Sequence, residues 1–173
     1  MQENHGSKQS VWLVYHKKIS GKPTISWSDA VEEALCFGWI DGKAKPIDQE
    51  KFMHSFSRRK PKGTWSKINK EKIKRLIDEG LMTKAGLDVI AAAKQNGSWT
   101  ILDEVEELLI PKDLLKAFKA RPGSKDFFIG LSKSVRKIML QWIVLAKLPE
   151  TRQRRIMEIA DSAGQGMRPK QFR

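Results

Sequence analysis

A chain of 173 residues with 40% hydrophobic residues and six tryptophans carries enough apolar material for a buried core, which excludes intrinsic disorder. Its 33 Lys and Arg against 20 Asp and Glu leave +13, a balance that favours polyanions as partners or serves solubility alone. Cys36 is the only cysteine, so an intrachain disulfide is excluded; no run approaches the roughly 18 apolar residues of a membrane span, and MQENHGSKQS lacks the apolar core of a secretory signal. A cytoplasmic location is the expectation.

In chain order, residues 1–6 are expected to fray. Ser7 or Ser10 can cap a helix to about Lys18, with Trp12, Leu13 and Tyr15 or His16 inward. Ser20-Gly21-Lys22-Pro23 is a loop. Ser26 or Ser28 caps a second helix carrying Val31, Ala34, Leu35 and Gly38. The period then changes to two. Trp39, Asp41, Lys43 and Lys45 share one face of an extended run, Pro46 to Glu50 turns, and Phe52, His54, Phe56 and Arg58 alternate along its partner. RRKPKG (58–63) is a basic loop.

Ser66 caps a helix to Glu79 and Gly80 takes its C-terminal turn; Thr83 caps the next helix, which stops at Asn96-Gly97. DEVEEL (103–108) is an acidic patch in a loop or short helix. Pro111 suits the first turn of a helix to Ala120, Ser124 caps a short helix, and Ser132 or Ser134 starts the most apolar one. Pro149 begins the last helix, and 164–173 reads as a basic flexible tail. The fold class expected is mainly α: a single domain over 7–163 of about seven helices, with one small β-hairpin inserted after the second helix.

Phosphate-binding glycine loops, HExxH and paired-cysteine zinc patterns are absent, so neither cofactor nor metal is expected. The strongest signal is basic. From Lys43 to Arg75 twelve Lys or Arg face only Asp48, Glu50 and Glu71. A base could stack on Trp65 while Arg58, Arg59 and Lys62 hold phosphates; the competing explanation makes Trp65 a staple at the Ser66 helix and the lysines its wet face. Asp41 can orient a cation or pair with Arg58 or Arg59 across the hairpin, or simply hold an Asp-Gly turn. Cys36 with His54 as base is an enzyme-like alternative, set against a thiol buried between Leu35 and Phe37. The paired helices after Ser66 invite a helix-turn-helix reading, but the second is too apolar to read DNA.

EALCFGWIDG, the loop closing in WSKIN, GLMTKAGLDVIAAAK before Ser98-Trp99, and AKLPETRQRRI together resemble the YdeI/OmpD-associated, or bacteriocin-protection, family from about Ser10 to Ala163. Cys36, Gly38, Trp39, Asp41, Gly42, Trp65, Ser66, Asn69, Gly80, Met82 and Gly86 match that pattern, while Arg58 stands where a proline is expected. The resemblance implies a bacterial protein linked to bacteriocin protection and supplies no catalytic set. The expected function is binding without catalysis, tied to envelope stress. Its expected surface is Trp39, Asp41, Lys43, Arg58, Arg59, Lys62, Trp65 and Asn69, and its guest an anionic ligand or acidic partner. Nucleic-acid binding through 58–75 is the first alternative; an enzyme pocket around Cys36, Asp41 and His54 is the second.

Overall fold

In the computed structural model, which describes residues 2–173, the chain forms two compact units, Met1–Thr100 and Ile101–Arg173. The first is built from strand β1 (Ser10–His16), helix α1 (Trp27–Cys36), strands β2 (Trp39–Pro46) and β3 (Lys51–Arg58), and helices α2 (Lys67–Asp78) and α3 (Lys84–Gln95). The second holds α4 (Asp103–Glu106), α5 (Lys112–Lys119), α6 (Ser124–Gly130), α7 (Lys133–Val144) and α8 (Pro149–Gly164).

The expected mainly α fold with an inserted hairpin is thereby corrected. Ser10–His16 is not a helix but the third strand of an antiparallel sheet of order β1-β3-β2. SVWLVYH is rich in β-branched and aromatic residues, and Val11, Leu13 and Tyr15 alternate inward against outward Trp12 and Val14. The sheet also supplies three of the largest fully buried side chains, Tyr15, Trp39 and Phe56. With eight helices among the described residues, the fold is mixed α and β.

The strand pairing contains a second correction. β2 shifts register between Asp41 and Ala44, so Ala44 opposes His54 and Lys45 opposes Met53. The extra residue puts Lys45 on the outer face, where its Nζ sits 5.0 Å over Trp12, away from the face of Trp39 and Asp41. Ser55 Oγ fills the bulge, accepting from Lys43 N at 2.9 Å; a Cβ on Gly42 would lie 2.5 Å from that oxygen.

The helices start where hydroxyl caps allow. Ser26, Ser66, Thr83 and Ser132 accept the backbone N–H groups of Asp29, Asn69, Gly86 and Val135. Thr83 also ties α3 to the end of α1, donating from N and Oγ1 to Cys36 O at 3.1 and 2.6 Å. Gly86 makes that approach feasible, because a Cβ there would stand 2.3 Å from Cys36 O. Between α1 and α2, Glu32 accepts from Lys72 at 2.7 Å and also from Arg75.

The first core gathers Tyr15, Val31, Leu35, Trp39, Phe56, Trp65, Ile73, Leu76 and Ile90, among others. In the second unit Leu114, Phe118, Phe128, Leu140, Ile143, Ile156 and Ile159 form the centre. There α8 begins at Pro149, whose missing N–H costs nothing in the first turn. Beyond α8, a short turn at Lys170–Phe172 brings Phe172 edge-on to Trp142, 5.5 Å between ring centres.

Candidate anion-binding site

Arg59 is the residue on which the site is built. It follows β3 directly, and its backbone N donates to Gly38 O at 3.1 Å, which locks the chain against the end of α1. Its side chain turns inward and is 9% exposed. The guanidinium lies 3.6 Å from the centre of the Trp65 ring, and Nη1 donates to Thr64 O at 3.0 Å. Nε and Nη2 are buried and have no hydrogen-bond acceptor among the described residues. Burial pushes the Arg59 pKa down to about 10, and the Asp41 carboxylate opposes the shift.

The Asp41 carboxylate, whose charge acts on this cation, has His54 beside it and also acts on Tyr15. Asp41 Oδ2 lies 3.7 Å from His54 Nε2, which also contacts Gly42 O at 3.0 Å. The Tyr15 hydroxyl is buried without a partner among the described residues; burial first, and then the charge of Asp41, pushes its pKa up. The charge of Asp41 thus acts on a buried guanidinium and a buried phenol, and its carboxylate lies near one imidazole. Buried polar groups are normally satisfied, so Arg59 Nε and Nη2 and the Tyr15 hydroxyl stand out among the described residues.

Arg59 also lines a cavity of about 330 Å3, together with Arg58, His5, Phe37, Trp39 and Val89. Arg58 reaches back and donates from Nε to His5 O at 3.1 Å. The N-terminal stretch expected to fray is therefore tied to the cavity, and the His5 ring sits 4.8 Å from that of Phe37. Gly38, at φ +73°, closes the floor; a Cβ there would meet Val89 Cγ2 at 2.7 Å.

The eight residues expected to form one surface are placed unequally. Arg58, Arg59 and Trp39 line the cavity, and Asp41 acts on Arg59 by its charge. Trp39 and Trp65 are 1% and 2% exposed, so both are core walls, and the Trp65 ring is occupied by Arg59 and Trp99. Lys43 stands exposed at the bulge, Lys62 is exposed in the loop, and Asn69 serves the first turn of α2 with its backbone N–H. Sequence reasoning missed Tyr15, His5, Phe37 and Val89; the alternation Val11, Leu13, Tyr15 was the available signal for the first.

Cys36 lies elsewhere. It is 5% exposed and lines a different cavity with Asp29, Glu32 and Glu33, which neither His54 nor Asp41 lines. Burial pushes its thiol pKa up, and Glu33 and Glu32 push it further, opposite to what a nucleophile needs. Another cavity, about 720 Å3 beside β1, is walled mainly by Val11, Leu13, Ile25, Trp39 and Phe56, with Lys8 and Glu33 cancelling in charge. Among the described residues, no group of three or more His, Cys, Asp or Glu is placed to hold a metal, and no helix is long and apolar enough to cross a membrane.

Residues 1–89 match a family model described as a domain of unknown function (DUF8412). Residues 107–166 match the family described as bacteriocin-protection, YdeI or OmpD-associated. The resemblance read from the sequence is shown for that second segment, and it suggests a bacteriocin-protection or YdeI-like role. No significant match emerges among curated proteins or solved structures.

Proposed function

The chain belongs to the family described as a domain of unknown function (DUF8412), and we propose that it is a cytoplasmic, non-catalytic binding protein for small anionic ligands that serves bacteriocin protection and the envelope-stress response. The observation that carries this reading is Arg59: its guanidinium is buried with two unaccepted nitrogens, and the residue lines a cavity of about 330 Å3. A buried charge needs a partner, and Asp41 compensates only part of the desolvation. A carboxylate or phosphate oxygen would complete the guanidinium fork, while Phe37, Trp39 and Val89 would take the apolar body of the ligand. The positive charge of the chain opposes direct capture of a cationic peptide, so protection would run through an anionic partner.

The test is calorimetric titration with phenylphosphate and benzoate against the wild type and Arg59→Met. The side chain of methionine keeps contact with Trp65 and removes the charge. Binding weakened by at least about tenfold in the variant, with its fold retained, supports the reading. Equal binding by both proteins overturns it.

A second reading has its own observation. Lys70 and Lys94 place Nζ 5.3 and 5.5 Å over the Trp99 ring, and Lys74 lines the same groove between α2 and α3. That is the grouping a single-stranded nucleic acid would use. Salt-sensitive binding of an oligonucleotide, lost in Lys74→Glu/Lys94→Glu and kept in Arg59→Met, would favour it.

A further inference from the structure

The second unit holds a charged cavity that the reading above does not use. It measures about 500 Å3 and is lined by Lys112, Leu115, Lys116, Phe118, Lys119 and Lys125. The spacing of 112, 115, 116 and 119 puts all four on one face of α5, since positions three and four apart are neighbours on a helix. Lys125, at the start of α6, comes round to the same cavity after the turn at Gly123. No carboxylate lines it. Asp113 is held on another side of α5 by Arg152, at 2.7 and 3.1 Å, and Asp126 is not on the wall. All four lysines are exposed, whereas Leu115 is half-buried and Phe118 buried, so the floor is apolar and the rim cationic.

We propose that this cavity is a binding site for a small organic phosphate of the nucleoside di- or triphosphate class. Three features select that chemistry. Four ammonium groups round one cavity repel one another, and a ligand with two or more negative charges relieves all four at once. Ammonium groups are compact point charges without the planar fork that reads a carboxylate, so phosphate oxygens suit them as well from any direction. The volume is that of one small organic molecule, too short for a strand or duplex, and the Leu115–Phe118 floor offers a surface for a base or another flat group.

The site is separate from Arg59, and its test is separate too. Titrating the full chain with ADP, inorganic pyrophosphate and adenosine measures charge and floor independently. ADP should bind, pyrophosphate should bind more weakly for want of the floor, and adenosine should not bind measurably. The exposed double variant Lys116→Glu/Lys119→Glu should lose ADP affinity by about tenfold or more at unchanged thermal midpoint, while Arg59→Met keeps it. Vesicles containing phosphatidylglycerol and a short oligonucleotide complete the panel. ADP affinity that ignores the Lys116/Lys119 reversal overturns the proposal. So does binding confined to the vesicles or the oligonucleotide, and so does the absence of ADP binding at low salt.

Discussion

Arg59 in the first unit and the lysines of α5 in the second hold positive charge in opposite ways. Arg59 is buried, stacked on Trp65, and left with two nitrogens that no described group accepts from. Lys112, Lys116, Lys119 and Lys125 stand in water around an apolar floor. Burying a guanidinium costs folding stability and yields a fixed fork for one oriented anion. Exposed ammonium groups cost little, hold no fixed geometry, and yield attraction that salt screens. The same total charge, +13 by composition, thus divides into cations held by structure and cations left for solvent or ligand. Of the basic run from Lys43 to Arg75, Arg58, Arg59, Lys72 and Arg75 are all committed to internal partners.

The largest expected effect breaks the frame that holds Arg59. Gly86→Val forces a Cβ to within 2.3 Å of Cys36 O and 2.8 Å of Met82 Cε, and the destabilisation should be about 3 kcal/mol in urea unfolding followed by circular dichroism. Arg59→Met is next, and its sign is the informative part. Removing an undercompensated buried charge should leave stability unchanged or raise it by about 1 kcal/mol while anion binding falls. Salt then separates the two sites: between about 50 and about 200 mM salt, where screening shortens to below about 10 Å and buried charge is screened less than exposed charge, phenylphosphate at Arg59 should weaken less steeply than ADP at the lysines of α5 and α6.

A smaller effect is set by pH. The hydrogen bond from Lys72, and then that from Arg75, lowers the Glu32 pKa below its ordinary 4.5. A carboxylate depressed in the fold contributes stability above its unfolded value, and that contribution is lost as pH falls through the lower folded value. Glu32→Gln should therefore cost about 1 kcal/mol at pH 7, and the gap to wild type should close below pH 4.5. The smallest effect is at Cys36: a thiol reagent should label the folded protein no faster than the protein opens, because the side chain is buried and its pKa raised.

Local chemistry was legible where one residue decides one turn. Ser66 and Thr83 cap their helices as read, Pro149 starts the last helix, and the turn before Lys51 is closed by Asp48 Oδ1, which accepts from the N–H groups of Glu50 and Lys51. The first strand was not legible, since Ser7 and Ser10, the latter the first residue of SVWLVYH, can both cap a helix, and the pairing partner β3 lies far along the chain. Nor was the bulge, which depends on Ser55 filling the space beside Gly42. The same holds for the site. Asp41 and Arg59 were singled out by type and spacing, but only the packing of Trp65 and Trp99 shows that Arg59 is buried and Trp65 is covered. In the second unit the lysines of the helix after Pro111 were passed over, and that Lys112, Lys116, Lys119 and Lys125 line one cavity required the fold.

The most direct test of the account is the dissociation constant of phenylphosphate for the wild type and for Arg59→Met, measured with the unfolding midpoint of each. The variant should bind at least about tenfold more weakly and be no less stable. A variant that binds as well as the wild type, or that loses binding only because it has unfolded, would contradict the claim that the Arg59 cavity is an anion site.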